Sequence, residues 1–70
     1  MTHEERIALL ENQPGETVSP AVVSQVLGGM PYTYNIAAKQ GKLTLPHLWR
    51  GNRLLIFKQP LINLLKGEPT

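Results

Sequence analysis

The sequence contains no cysteine and no aspartate. Without cysteine there is no disulfide framework and no thiolate metal site, and a reducing, cytoplasmic location is expected. Neither His3 nor His47 has a nearby carboxylate at metal-ligand spacing. No nucleophile–base pair and no glycine-rich phosphate loop is recognisable. These absences predict a protein that is not an enzyme and that uses neither a metal nor a cofactor.

Long hydrophobic runs are also missing. The longest run of large apolar residues is the four-residue stretch 54–57, whereas a bilayer span needs about 20 residues. The N-terminus carries His3, Glu4 and Glu5 instead of a basic segment followed by an apolar one, so it does not resemble a signal peptide. No membrane partner is expected.

Charge is distributed unevenly along the chain. Residues 1–38 hold one arginine against four glutamates, a charge of −3, and residues 39–70 hold six basic residues against one glutamate, a charge of +5. The two values give the net charge of +2. A basic C-terminal half suggests an anionic partner, although an ordinary solvated surface would give the same pattern.

Seventy residues predict a single domain, 1–70. The stretch "THEERIALLEN" opens with a capping-box pattern, Thr2 followed by Glu5. We expect a helix over about 3–12, ended by the turn signal Pro14-Gly15.

The stretch "VSPAVVSQVLGGMPYTYNIAAKQG" predicts two short helices joined by a glycine-containing turn, which is typical of a helix-turn-helix over about 19–41. Ser19 is a candidate N-cap, and Pro20 and Pro31 suit first helical positions. Gly28 and Gly41 suit helix ends, Gly28 in the left-handed conformation.

The stretch "LWRGNRLLIF" indicates a β-hairpin over about 45–57 with Gly51-Asn52 as its turn. A two-residue loop places Arg50 opposite Arg53, and like charges in that position are destabilising. Pro60 predicts the first position of a final helix over about 59–66, which Lys66-Gly67 ends.

The hairpin should bury one face. Ile56 and Leu43 are the expected core residues, and Ile56 shares its face with Trp49 and Leu54. On the other face an apolar residue is expected to stay exposed, chosen from Leu48, Leu55 and Phe57.

A helix-turn-helix reads DNA with polar residues near the start of its second helix. Asparagine pairs with adenine, and threonine or tyrosine contacts phosphates or thymine methyls. Two arginines at a hairpin tip are favourable beside phosphates or in a minor groove. The candidate DNA-binding residues are therefore Tyr32, Thr33, Asn35 and Lys39 in the helix, and Arg50, Arg53 and Lys58 in the hairpin. Solvated side chains without a DNA role are the alternative for each.

The stretch "VSPAVVSQVLGG", the following proline, "GKL" ten residues later, and then "GNRLLI" resemble the excisionase and MerR-type winged helix-turn-helix family over about residues 17–66. The resemblance implies a mainly α fold with a small β-hairpin. It implies DNA contacts at the helix residues named above, at Arg50 and Arg53, and in addition at Asn52 in the hairpin turn. It also implies a phage or mobile-element protein that binds and bends double-stranded DNA near attachment sites and helps an integrase or recombinase. Self-association on DNA is a further possible interaction.

This chain departs from the family in two ways. MerR-type recognition helices often carry arginine where Asn35 stands, and an acidic helix precedes the motif. Full MerR regulators continue beyond the winged domain, so an end at Thr70 favours an excisionase or a minimal regulator. A small phage transcriptional regulator remains an alternative. So does a phage assembly or adaptor protein that acts through protein contacts.

Overall fold

The computed structural model describes residues 2–67. This part of the chain holds four helices and three strands; it is mainly helical, as predicted, and its arrangement is compatible with a winged helix-turn-helix. Their bounds are α1 His3–Glu11, β1 Thr17–Val18, α2 Pro20–Leu27, α3 Pro31–Lys39, β2 His47–Arg50, β3 Arg53–Phe57 and α4 Lys58–Lys66.

The helix starts follow from local hydrogen bonds. The Thr2 hydroxyl accepts from the Glu5 N–H at 3.1 Å, and the Glu5 carboxylate accepts from the Thr2 N–H at 2.9 Å. This is the predicted capping box. The Ser19 hydroxyl accepts from the Val22 N–H at 3.4 Å, and Pro20 opens α2. Both caps are thus confirmed.

The three strands form an antiparallel sheet with β3 in the centre, between β1 and β2. In the β2–β3 hairpin, Trp49 pairs with Leu54 and Arg50 pairs with Arg53, as the two-residue loop predicts. Gly51 has φ of 63°, and every residue with a positive φ in the described chain is a glycine. A glycine with positive φ at the first loop position matches a type II′ turn.

Strand β1 was not predicted, because the sequence around it indicates only a turn. It pairs Thr17 with Phe57 and Val18 with Ile56. A strand of two residues is too short to show the alternation by which strands are recognised. Its effect is to place β3 between two neighbours and to add Val18, which is buried, to the core.

The core lies between the sheet and the helices. Ile56 is 0% exposed, which confirms the expected core position, and Leu43 is half-buried against the core. On the other face of the hairpin Leu48 remains 38% exposed, while Leu55 and Phe57 are half-buried. The buried residues are Leu10, Val18, Val23, Val26, Ala38, Leu54, Ile56, Leu61 and Ile62.

Two helix ends differ from the prediction. Gly28 has φ of 89° but ψ of 178°, so it is not in the left-handed helical conformation. Helix α4 begins at Lys58, which makes Pro60 its third residue instead of its first. Proline is tolerated there because the first helical N–H groups have no partner within the helix. The backbone N–H of Lys58 instead donates to Glu16 O at 3.0 Å.

Candidate nucleic-acid interface

The outer face of α3 presents polar side chains. Helical spacing places Tyr32, Asn35 and Lys39 on one stripe, and Ala38, to one side of that stripe, is buried. Tyr32 is 70% exposed, Lys39 is exposed and Asn35 is half-buried. Thr33 is also exposed, but helical spacing places it away from this stripe. The four residues predicted on this helix therefore remain accessible to a partner.

The amide of Asn35 is partly held by its own helix. Its Nδ2 donates to Pro31 O at 3.2 Å. An asparagine amide has two N–H donors and one carbonyl acceptor, so one donor and the Oδ1 acceptor are left. These are the groups with which asparagine pairs with adenine. The internal hydrogen bond restricts the side chain but leaves one N–H and the Oδ1 of Asn35 available to a partner.

The tip of the hairpin lies beside this helix face. The β2–β3 hairpin, residues 47–57, is called the wing below. One cleft of about 320 Å³ is lined by Asn35, by Ser19 and Pro20 at the start of α2, and by the 52–55 segment of the wing. A second cleft of about 260 Å³ is lined by Lys39, Trp49 and the turn 51–52. Asn52 belongs to both clefts. The fold therefore brings together four predicted residues: Asn35, Lys39, Asn52 and Arg53.

The guanidinium groups at the tip form no ion pair with a carboxylate of residues 2–67. Arg50 and Arg53 are both exposed and directly opposite each other. Within residues 2–67 the one ion pair is between Lys66 Nζ and Glu11 Oε2, at 3.7 Å, and it joins α4 to α1. Repulsion between the two arginines is therefore reduced only by solvent and salt.

Acidic residues lie on another part of the molecule. Glu4, Glu5 and Glu11 are on α1, which packs against α4 and α2, whereas α3 packs against α2. The backbone and side-chain hydrogen bonds with Thr2 lower the pKa of Glu5 below its ordinary value, so Glu5 stays ionised. The negative charges of the N-terminal half are thus carried mainly by α1, which lies apart from α3 and the wing.

Lys58 does not extend the basic surface as expected. It follows the last residue of β3, at the opposite end of that strand from Arg53. Its Nζ donates to Gln13 O at 2.6 Å, and its side chain is half-buried. This lysine instead ties the loop before β1 to the start of α4.

Six residues that line the two clefts were not predicted as part of the site: Ser19, Pro20, Trp49, Gly51, Leu54 and Leu55. Ser19 and Pro20 were recognised as the start of a helix, but their position beside the wing depends on tertiary packing. Trp49 was expected to face the core, yet it is 37% exposed and lines the cleft beside Lys39. Its place two residues before the turn was the available signal.

Within residues 2–67 no three histidine or glutamate side chains are grouped so as to hold a metal ion. No helix of that range has the length and apolarity needed to cross a bilayer. Comparisons with protein-family models, curated proteins and solved structures find no match. The resemblance to excisionases and MerR-type proteins therefore rests on the residues of this chain alone.

Proposed function

We propose that this chain binds double-stranded DNA, without catalysis, through the exposed face of α3 and the tip of the β2–β3 wing. The observation that carries the proposal is the Arg50–Arg53 pair at the tip, which has no compensating carboxylate within residues 2–67. Arg53 of this pair lines a cleft with Asn35 of α3, and Lys39 of the same helix lines a second cleft with the hairpin turn.

The arginine pair is unfavourable for folding, because like charges directly across a strand pair repel. The same pair is favourable against phosphates or in the negative potential of a minor groove. Helix α3 would then enter the major groove with Asn35 on base edges, and Lys39 would contact the backbone. A helix and a wing side by side fit this division of contacts.

The resemblance to excisionases suggests the biological role. We propose an accessory factor of a phage or mobile element that bends DNA near attachment sites and assists an integrase. A small transcriptional regulator would use the same surface. Bending of a site selected from random duplexes, measured by gel mobility of permuted fragments, separates the two roles: a straight complex contradicts the excisionase role.

One observation favours a second candidate, a protein-contact adaptor. Apolar side chains are exposed at the turn between α2 and α3: Met30 is 67% exposed and Leu27 is exposed as well, and the ring of Tyr32 adds apolar surface below its polar hydroxyl. Exposed apolar groups of this kind mark protein contacts when they form a patch. This candidate predicts no measurable affinity for DNA.

The test is a salt series of binding to labelled random duplex DNA. The double variant Arg50→Gln, Arg53→Gln should flatten the slope of log affinity against log salt by up to about 2, because each lost phosphate contact removes about 0.9. The control variant Lys66→Gln removes a positive charge from α4, where the lysine faces Glu11, and should leave the slope unchanged.

The same double variant also tests the electrostatic argument in the folded protein. Its free energy of unfolding should stay level or rise by about a few tenths of a kcal/mol, because a like-charged cross-strand pair has been removed. A marked fall in stability with an unchanged salt slope would mean that the arginines hold the fold together. The adaptor would then be the better explanation.

A further inference from the structure

The turn that connects α2 to α3 has little rigidity of its own. Gly28 and Gly29 follow each other with φ of 89° and 85°, values that glycine adopts without strain. Met30, the N-cap of α3, makes no side-chain capping bond, and Pro31 has no N–H. Local hydrogen bonding therefore provides few constraints on the direction in which α3 leaves the turn.

The side chain of Tyr34 supplies a constraint from inside α3. Its hydroxyl donates to Gly28 O at 2.6 Å. The hydroxyl and Cε2 would lie 3.8 Å and 3.9 Å from a Cβ on Gly29, so the ring also rests against the turn. Tyr34 is half-buried and packs against the core. One side chain thus joins the core, the turn and the first half of α3.

We propose that the Tyr34 hydroxyl is a positioning group that fixes α3 relative to α2. It thereby places Asn35 and Lys39 beside the wing. The part of this inference that concerns DNA rests on the function proposed above. The ring alone would provide packing; the hydroxyl provides a directional bond to a carbonyl on the far side of a glycine turn. The two contributions are separable, since phenylalanine retains the ring.

The experiment compares Tyr34→Phe with Tyr32→Phe, which removes the same hydroxyl from an exposed tyrosine two positions earlier. Amide hydrogen exchange is measured without DNA. The Gly28 N–H, bonded to Ser24 O, and the Thr33 N–H, bonded to Met30 O, flank the turn. Both should exchange faster in Tyr34→Phe and at the wild-type rate in Tyr32→Phe, while core amides stay protected in both.

Binding is then measured for Tyr34→Phe on a duplex selected by the wild-type protein and on random duplex. The ratio of the two affinities should fall by about 2- to 10-fold, the range that one neutral hydrogen bond supplies. The salt slope should be unchanged, because the number of phosphate contacts is the same.

Unchanged exchange at Gly28 and Thr33 overturns the inference. Faster exchange with an unchanged affinity ratio overturns the positioning role, because the turn would then be free without consequence for recognition. If the wild-type protein binds no DNA, the proposed function fails, and the exchange comparison alone decides whether the hydroxyl holds the turn.

Discussion

Replacing Ile56 by alanine tests the hydrophobic core to which the wing contributes strand β3. Ile56 is 0% exposed and lies in the central strand, with Val18 on one neighbour and His47 on the other. Truncation there removes apolar packing within the core cluster, to which Val18 also belongs. The surrounding strands and helices restrict collapse into the space, so a cavity should remain.

The expected loss is about 2–5 kcal/mol, the range for truncating a buried isoleucine to alanine. At about 0.05–0.15 kcal/mol per residue, a domain of this length has a free energy of unfolding of about 3–10 kcal/mol. The variant therefore loses a large part of its stability. At about 4–8 °C per kcal/mol, its melting temperature should fall by about 10–40 °C.

The assay is urea and thermal unfolding, followed by circular dichroism and by the fluorescence of Trp49, the single tryptophan. Coincident curves from the two signals establish two-state unfolding. The control is Leu55→Ala, at the position just before Ile56 in β3, where the side chain points to the other face and is half-buried. Its loss should be clearly smaller. Equal losses for the two variants, or an unchanged melt for Ile56→Ala, would refute the assignment of the buried face.

Two further predictions concern α3 and α1. Asn35→Ala should weaken binding to a selected duplex by about 1–3 kcal/mol and leave random-duplex binding nearly intact; equal losses would reduce Asn35 to a phosphate contact or a structural residue. The lowered pKa of Glu5 means that its carboxylate stabilises the fold above the unfolded-state pKa, and that this contribution is lost as pH falls through the folded-state pKa. The stability difference between wild type and Glu5→Gln, measured by urea unfolding at about pH 6 and about pH 3, should therefore shift against the wild type at the lower pH; a constant difference contradicts the role of the charged capping box.

The features predicted correctly from the sequence depend on neighbouring residues. The Thr2–Glu5 capping box, the Ser19 cap and the two-residue hairpin turn each involve groups a few positions apart. Residue type and spacing are enough to define such features. The pairing of Arg50 with Arg53 belongs to this class, since the loop length alone sets the register.

The features that were missed depend on contacts between distant parts of the chain. Lys58 Nζ donates a hydrogen bond to the carbonyl of Gln13, 45 residues earlier. Strand β1 forms by pairing with β3, which lies about 40 residues further along the chain. No local pattern marks either partner. The exposure of Trp49 likewise depends on how the hairpin packs beside α3, which sequence spacing does not determine.

The partners of the basic side chains bear on the proposed function. Lys58 donates to a backbone carbonyl and Lys66 faces Glu11, so each of these lysines has an internal partner. The two arginines at the wing tip instead face each other in solvent, although a hairpin turn of this type requires no particular charge at its flanking positions. A domain with so small a free energy of unfolding gains nothing in folding from a repulsive pair at its tip. Contact with an anionic partner, as proposed, would make the pair favourable, and this is why the salt slope of the arginine variant is the decisive measurement for the DNA-binding proposal.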